Sequence, residues 1–313
     1  MTTAVAPEVF VSDEVLREMM YMSMRRACST IPKDIQAAVR RNLEMEKNEI
    51  PRFHLLTTLQ NYERSEEVDG LLCTDTGWPL YYVKAGDNVR LEKGWSSLYE
   101  AARYAVRRCS AEARLRVTMV DPLSRRITTD NVGPFIPQVE VRFDAGIEEL
   151  QVLAAPKGGG AEIWGSFYRP LMVADGTAGI YKFCLDAYRE SHKYGKACPP
   201  TVVGIGIGGT PDLCMRLAKE ACLLRPVGDR HPDPRVANME EELIDAFNYC
   251  GMGPMGMGGE SGSMDVHIEI AVTHTAATCI AFNTQCQVGR RAVAKYGLSG
   301  AIGYDDILDW VRR

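Results

Sequence analysis

Glycine placement restricts the folds open to this chain more than any other feature. Three glycine-rich turns, KGGG at 157–160, GIGIGG at 204–209 and GMGPMGMGG at 251–259, break up stretches of strand-like and helix-like sequence. An ordinary connection needs a single glycine, so three such turns read as following strands predict several backbones converging around one site, with a plain structural turn as the alternative for each. The runs LQVLAAP and TVVGIGI before two of them suit strands, while GTAGIYKFCLDAYRESHKYG and PDLCMRLAKEACLL have apolar positions at helical spacing. An α/β chain is expected.

The remaining segments fit that class. The first 65 residues read as helices that serve packing, with a cap near Ser12 and Asp13 and with Met19, Met20, Met22 and Met24 as core filler. VDGLLCTDTGWPLYYV places a polar turn between two strands, SLYEAARYAVRRCSAEA reads as a helix, LRVTMVDPL (115–123) as a strand ending at Pro122, and PQVEVRFDAG as a further strand. Residues 223–239 read as a proline-rich loop, SMDVHIEIAVT as a strand, and CIAFNTQCQVGRRAVAK (279–295) as strand, turn and helix. There is no repeat, low-complexity linker or strong internal boundary. The expectation is one domain over 1–313, helical over 1–65 and α/β over 66–313.

Composition excludes several classes. With 46% hydrophobic and 25% charged residues the chain has the make-up of a soluble globular protein, and no apolar run approaches the ~18–20 residues of a membrane span. The start, MTTAVAPEVFVSDEVL, has neither a basic n-region nor an apolar h-region, so a cytoplasmic location is expected. A net charge of −5 offers no broad basic footprint for nucleic acid. Ten cysteines without an export signal point to reduced thiols, some of them possible ligands. No CxxC pair occurs, which leaves zinc ribbons and ferredoxin-type runs unsupported; ligands gathered from distant loops stay open. Cys28, Cys109, Cys184, Cys214, Cys222, Cys250 and Cys279 read as small buried hydrophobes.

Gly204, Gly206 and Gly209 satisfy GxGxxG between a strand and a helix. A dinucleotide fold also needs a strand ending in an acidic residue about 20 residues on. Asp229 stands near that distance, but within PVGDRHPDP, whose prolines argue against a strand. A nicotinamide-dependent oxidoreductase is therefore the lesser alternative and the fold is not expected to be of Rossmann type. The other reading of these glycines is close backbone approach to a bulky group or an anion, with helix amides from Thr210 onward. No glycine loop carries the GK[ST] of a P-loop.

Taken in order, CTDTG (73–77), LRVTMVDPL (115–123), KGGG (157–160), ACPPTVVGIGIGGTPD (197–212), GMGPMGMGG (251–259), THTAA (273–277) and NTQCQVGRR (283–291) resemble the class I, iron–sulfur-dependent fumarases and the α subunit of L(+)-tartrate dehydratase. The resemblance spans roughly residues 70 to 300. It implies two mixed sheets flanked by many helices, a hydro-lyase acting on a small fumarate-, malate- or tartrate-like acid, and a 4Fe–4S cluster held by Cys73, Cys198 and Cys286. A cluster with three protein ligands leaves one iron open as a Lewis acid. By the same resemblance Asp75 assists proton transfer, Arg116 clamps a substrate carboxylate, His274 lies on the substrate side, and Gly158, Gly159 and Gly160 supply amides or close approach. The alternatives are a turn cap for Asp75, a surface salt bridge for Arg116 and a satisfied core histidine for His274. Thr74 stands where the family commonly has Gln, and Ala161-Glu162-Ile163 where it commonly has Ser-Glu-Asn; both positions bear on substrate identity. A drifted cluster-bearing or scaffold subunit is the second functional reading. Fused members carry a further C-terminal domain, for which the ending DDILDWVRR leaves no room, so a separate β subunit and an α2β2 assembly are expected.

Overall fold

The computed structural model describes residues 7–305 and 310. The first six residues, on which part of the no-leader reading rests, and most of the DDILDWVRR ending lie outside the described residues. In chain order the elements are β1 (Val9–Val11), α1 (Asp13–Ser29), α2 (Lys33–Met45), α3 (Glu49–Glu67), β2 (Trp78–Ala85), β3 (Val89–Leu91), α4 (Ser97–Ala111), β4 (Gln138–Phe143), β5 (Glu149–Lys157), β6 (Phe167–Met172), α5 (Gly176–His192), β7 (Thr201–Ile207), α6 (Pro211–Leu224), α7 (Pro234–Tyr249), β8 (Ser263–Ile270), β9 (Ala277–Gln285), β10 (Ala292–Gly297) and β11 (Ile302–Asp305). The described residues fall into two compact units, one of residues 7–30, 65–157 and 290–305, the other of 31–64, 158–289 and 310. The helical first 65 residues are thus shared between the units.

The first unit is built on a five-stranded sheet of order β11-β10-β5-β2-β4, in which only β2 and β4 run parallel. Its core combines Met19, Met20 and Met24 of α1 and Ala102, Ala105 and Val106 of α4 with Tyr81, Val83, Val152 and Ala154 of the strands. The methionines at these positions are core filler, as their flexible side chains suit. The Ser12 hydroxyl caps α1 by accepting from the Val15 amide at 3.2 Å.

The second unit carries a four-stranded mixed sheet of order β6-β9-β7-β8. Val203 and Ile205 of β7 face the apolar cluster formed with α5 and α7. On the other face lies α6, whose backbone comes so close that a Cβ on Gly204 would run into the Ala218 carbonyl and one on Gly206 into that of Cys214. Gly204 and Gly206 are therefore packing residues, admitting a helix directly onto a strand. Gly208 and Gly209, both at positive φ, turn the chain, their amides donating to the carbonyls of Cys279 (2.8 Å) and Val272 (3.1 Å). Gly204→Ala is expected to destabilise the chain by about 1–3 kcal/mol through overpacking, read as a lower midpoint in denaturant unfolding.

Two mixed sheets with helices agree with the expected fold class; several local expectations change. Residues 115–123 form no strand beyond an isolated bridge between Val120 and Ile127. The Asn131 side chain takes the place of a neighbouring strand there, its Oδ1 accepting from the amides of Thr118 (2.9 Å) and Met119 (3.2 Å). The helix expected after NTQCQVGRR is strand β10, paired antiparallel with β5 along its whole length. A six-residue stretch such as AVAKYG is ambiguous in period, and its partners decide. Within 223–239, Pro234 opens α7 rather than breaking structure, with Asp233 as cap. The loop before it is held by Arg225, fully buried, whose guanidinium pairs with Glu240 (2.5 Å) and Asp229 (2.8 Å).

Candidate active site

In the first unit the segment Cys73–Gly77 leads into β2. Because β2 and β5 are antiparallel with Trp78 opposite Lys157, this loop and the end of β5 share one end of the sheet. The loop is pinned through its backbone. The Leu72 amide donates to the Cys28 carbonyl at 2.9 Å, and the buried Arg290 guanidinium donates to the Asp75 carbonyl at 2.5 Å. The Thr76 hydroxyl donates to the Arg116 carbonyl at 3.0 Å, and the amide of Asn131 reaches the same oxygen at 3.1 Å. Asp75 and Arg116 are thereby brought together through Thr76. Cys73 and Asp75 are half-buried, Thr74 and Arg116 exposed. Among the described residues of this unit no carboxylate pairs with the Arg116 guanidinium, so the surface salt bridge weighed against its role is not formed. Asn131, 1% exposed, organises this corner and was not picked out from the sequence.

In the second unit, Cys198 precedes β7 and Cys286 follows β9. The two strands are antiparallel with Val202 opposite Gln285, so both cysteines emerge at one end of the sheet, and the Gln287 amide donates to the Cys198 carbonyl at 3.1 Å. Cys198 has φ +54, in the left-handed region that a cysteine rarely occupies. Its loop is held from all sides: Ala197 N–H to Ser191 O (3.0 Å), Cys198 N–H to Gly195 O (2.9 Å), and Met255 N–H to Pro199 O (3.0 Å). A Cβ on Gly256 would stand 2.6 Å from the Gly195 amide, so the 251–259 glycines let one loop lie on the other. Below it His192 is fully buried; burial pulls it down to about 3 and keeps it neutral. Its Nδ1 faces the Tyr188 carbonyl, an acceptor only, so Nε2 accepts from the Thr201 hydroxyl at 2.8 Å, anchoring the start of β7.

The glycines of KGGG reach the same place. A Cβ on Gly160 would collide with the Lys196 carbonyl and lie 3.7 Å from Cys198 Sγ. The π-helical turn Gly160–Trp164 that follows is tied to β9, with the Thr284 hydroxyl donating to Ala161 O (3.2 Å) and the Asn283 amide to Ser166 Oγ (2.6 Å). Such turns are frequent at functional sites. The structure thus assembles Cys198, Cys286 and Gly160. The turn at 204–209 sits at the opposite end of the sheet, so the expected convergence of three glycine turns is not formed. The physical reason is that β7 separates 197–200 from 208–209.

His274 is also remote from these cysteines. It lies on the exposed turn between β8 and β9, where its Nδ1 accepts from the Ala276 amide at 3.1 Å. Cys286 follows the far end of β9, roughly 30 Å away at the usual rise per residue. It is no core histidine either, being exposed.

Sequence reading assigned α3 to packing alone, yet one of its faces reaches the residue after Cys286. Tyr62 OH donates to Gln287 O at 2.6 Å, His54 Nε2 lies 3.0 Å from Gln287 Oε1, and the Thr58 hydroxyl lies 3.3 Å from the same oxygen. The signal was present as polar side chains at i, i+4 and i+8, a single helical face.

Of the seven cysteines expected to be buried core residues, five are, whereas Cys250 and Cys279 are only half-buried. Cys28, Cys109, Cys184, Cys214 and Cys222 are buried. Burial pushes the Cys28 thiol up to about 11 and that of Cys214 to about 12, and lifts Cys109 and Cys184 as well, so they remain protonated. Among the described residues no three His, Cys, Asp or Glu side chains surround one ion position. No helix among them is long and apolar enough to cross a membrane.

Comparison with known proteins places this arrangement. The sequence model of the fumarate hydratase (Fumerase) family matches residues 17–295. A protein of Methanocaldococcus jannaschii with the provisional name L(+)-tartrate dehydratase subunit alpha is 37% identical over 279 residues, covering 89% of this chain and 96% of the relative. The L(+)-tartrate dehydratase subunit alpha of Escherichia coli strain UTI89 is 30% identical over 267 residues, 85% of each chain. That of strain K12 is 30% identical over 263 residues, 83% of this chain and 84% of the relative. Over nearly its whole described length, the chain belongs to the fumarate hydratase (Fumerase) family and is a hydro-lyase of the fumarate hydratase and tartrate dehydratase type.

Proposed function

We propose that this chain is the α subunit of a cytoplasmic iron–sulfur hydro-lyase that reversibly dehydrates a small hydroxy-diacid of the malate or tartrate type, with Cys73, Cys198 and Cys286 holding a 4Fe–4S cluster. The donor set suits that group, since thiolates are its usual ligands. Cys198 is held at φ +54 with Gly160 beside its sulfur, where any side chain would fill the space a bulky group needs. When bound, such a cluster supplies one iron without a protein ligand as a Lewis acid for the substrate's hydroxyl.

The chain's own residues account for the rest. Arg116 clamps a carboxylate with its planar fork, fixing the reacting carbons, and the observation that carries this reading is the Thr76 hydroxyl bonded to the Arg116 carbonyl, which ties Arg116 to the Cys73–Gly77 loop. Asp75, tied to Arg116 through Thr76, acts in moving the proton of the adjacent carbon. The Gly158–Gly160 amides contact a carboxylate oxygen or admit close approach. Thr74 and Ala161 alter which polar groups the pocket pairs, and so select among related acids. His274 is proposed to act on the substrate side, as the family resemblance implies, from the turn between β8 and β9. Relatives named as α subunits support a separate β subunit; two α and two β chains is the assembly proposed. Nicotinamide binding loses its basis, since Gly204 and Gly206 are taken up by the packing of α6.

The test is the anaerobically reconstituted α–β complex offered a panel of hydroxy-acids and unsaturated mono- and dicarboxylates, followed by the ultraviolet absorbance of the conjugated double bond. Interconversion of one pair is expected. If the cluster-loaded complex turns over none of them, the chain is instead a cluster-bearing subunit whose chemistry has drifted.

A further inference from the structure

Gln287 follows Cys286 directly, and each of its polar atoms is engaged within one unit. Its amide N–H donates to the Cys198 carbonyl at 3.1 Å, and its carbonyl accepts from the Tyr62 hydroxyl at 2.6 Å. Its side-chain nitrogen lies 3.6 Å from the Met255 sulfur, and its side-chain oxygen faces His54 Nε2 at 3.0 Å and the Thr58 hydroxyl at 3.3 Å. A thioether only accepts, so Met255 orients the NH2 toward itself and leaves Oε1 to receive the proton carried on His54 Nε2. Tyr62 is 1% exposed, and its hydroxyl crosses the core to reach one backbone oxygen. Three separate segments, α3, the Cys198 loop and the 251–259 loop, thus meet on the residue that joins the two cysteines of this unit.

We propose that Gln287 is the positioning residue of the cluster site and that the His54–Thr58–Tyr62 face of α3 holds it in place, so that α3 sets how firmly Cys198 and Cys286 retain iron. This rests on the three-cysteine reading above. Gln287 touches neither substrate nor reacting atoms; it acts by fixing the backbone spacing between two ligands, in the way that outer partners orient ligands elsewhere.

The experiment measures chelator-driven loss of visible absorbance from the anaerobically reconstituted α–β complex, for wild type, Tyr62→Phe, Gln287→Ala and Gln287→Glu, beside the thermal unfolding midpoint of each. Tyr62→Phe deletes one hydroxyl, and one hydrogen bond corresponds to loss about fivefold faster at a nearly unchanged midpoint. Gln287→Ala is expected to lose cluster at least tenfold faster. Gln287→Glu, which keeps the oxygen facing His54 and Thr58, is expected to recover most of the wild-type rate. Release at the wild-type rate by folded Tyr62→Phe and Gln287→Ala complexes would overturn the proposal, as would acceleration only in step with a falling midpoint. Should Gln287→Ala not fold, Tyr62→Phe decides alone. A wild-type complex that takes up no iron or sulfide overturns the cluster reading itself, a distinguishable outcome.

Discussion

Serine in place of Cys73, Cys198 or Cys286, one at a time, is expected to leave the anaerobically reconstituted protein with less than about a tenth of the wild-type iron and sulfide, and without its broad visible charge-transfer band. The effect should be this large because a three-ligand cluster has no spare thiolate, and an alkoxide is a poor substitute on iron. The matching control is Cys279→Ser. Cys279 is half-buried with its sulfur 3.3 Å from the Tyr168 hydroxyl, and no cluster role is assigned to it, so that variant should bind iron as the wild type does. Equal iron in all four variants, or loss confined to Cys279→Ser, would remove the ligand assignment.

Asp75→Asn should lower kcat by roughly 10²–10⁴ with little change in KM, because the carboxamide keeps the shape of the side chain but can no longer take up a proton. Arg116→Ala should act on both constants, lowering kcat/KM by roughly 10²–10³, since a bidentate clamp both anchors the substrate and orients its reacting carbons. Arg116→Lys is expected to recover only part of that loss, as a point charge lacks the planar fork. Steady-state kinetics of the complete complex decide the matter. Wild-type kcat in Asp75→Asn would take the proton-transferring role from Asp75. An Arg116→Ala effect on kcat alone would mean that the guanidinium does not hold the bound acid.

Much was legible from residue order because it depends on local chemistry. The strand before KGGG, the β7–α6 pair, the methionine-filled α1 and the capped helices follow from period, turn residues and caps, which act over a few residues. The motif order at 73–77, 157–160, 197–212 and 283–291 marked the family, and the matching model spans residues 17–295. What residue order left undecided is where side chains compete with the backbone or where distant segments meet. Asn131 supplies the hydrogen bonds that a neighbouring strand would otherwise give residues 116–119, so an alternating segment forms no sheet. Ala292–Gly297 is a strand because β5 and β11 flank it, and six residues have no period long enough to say so. Gly204 and Gly206 satisfy a nucleotide pattern in sequence, yet in the fold they admit a helix, because a missing Cβ permits either use and only the neighbour across the face distinguishes them. Likewise His274 and Cys286 are only twelve positions apart in sequence, yet the extended β9 between them carries them to opposite ends of that strand. Gln287 reads in sequence as one more polar residue after a cysteine. Its partners, His54, Thr58 and Tyr62, stand more than 220 positions earlier, and contact at that separation is set by how the chain folds back.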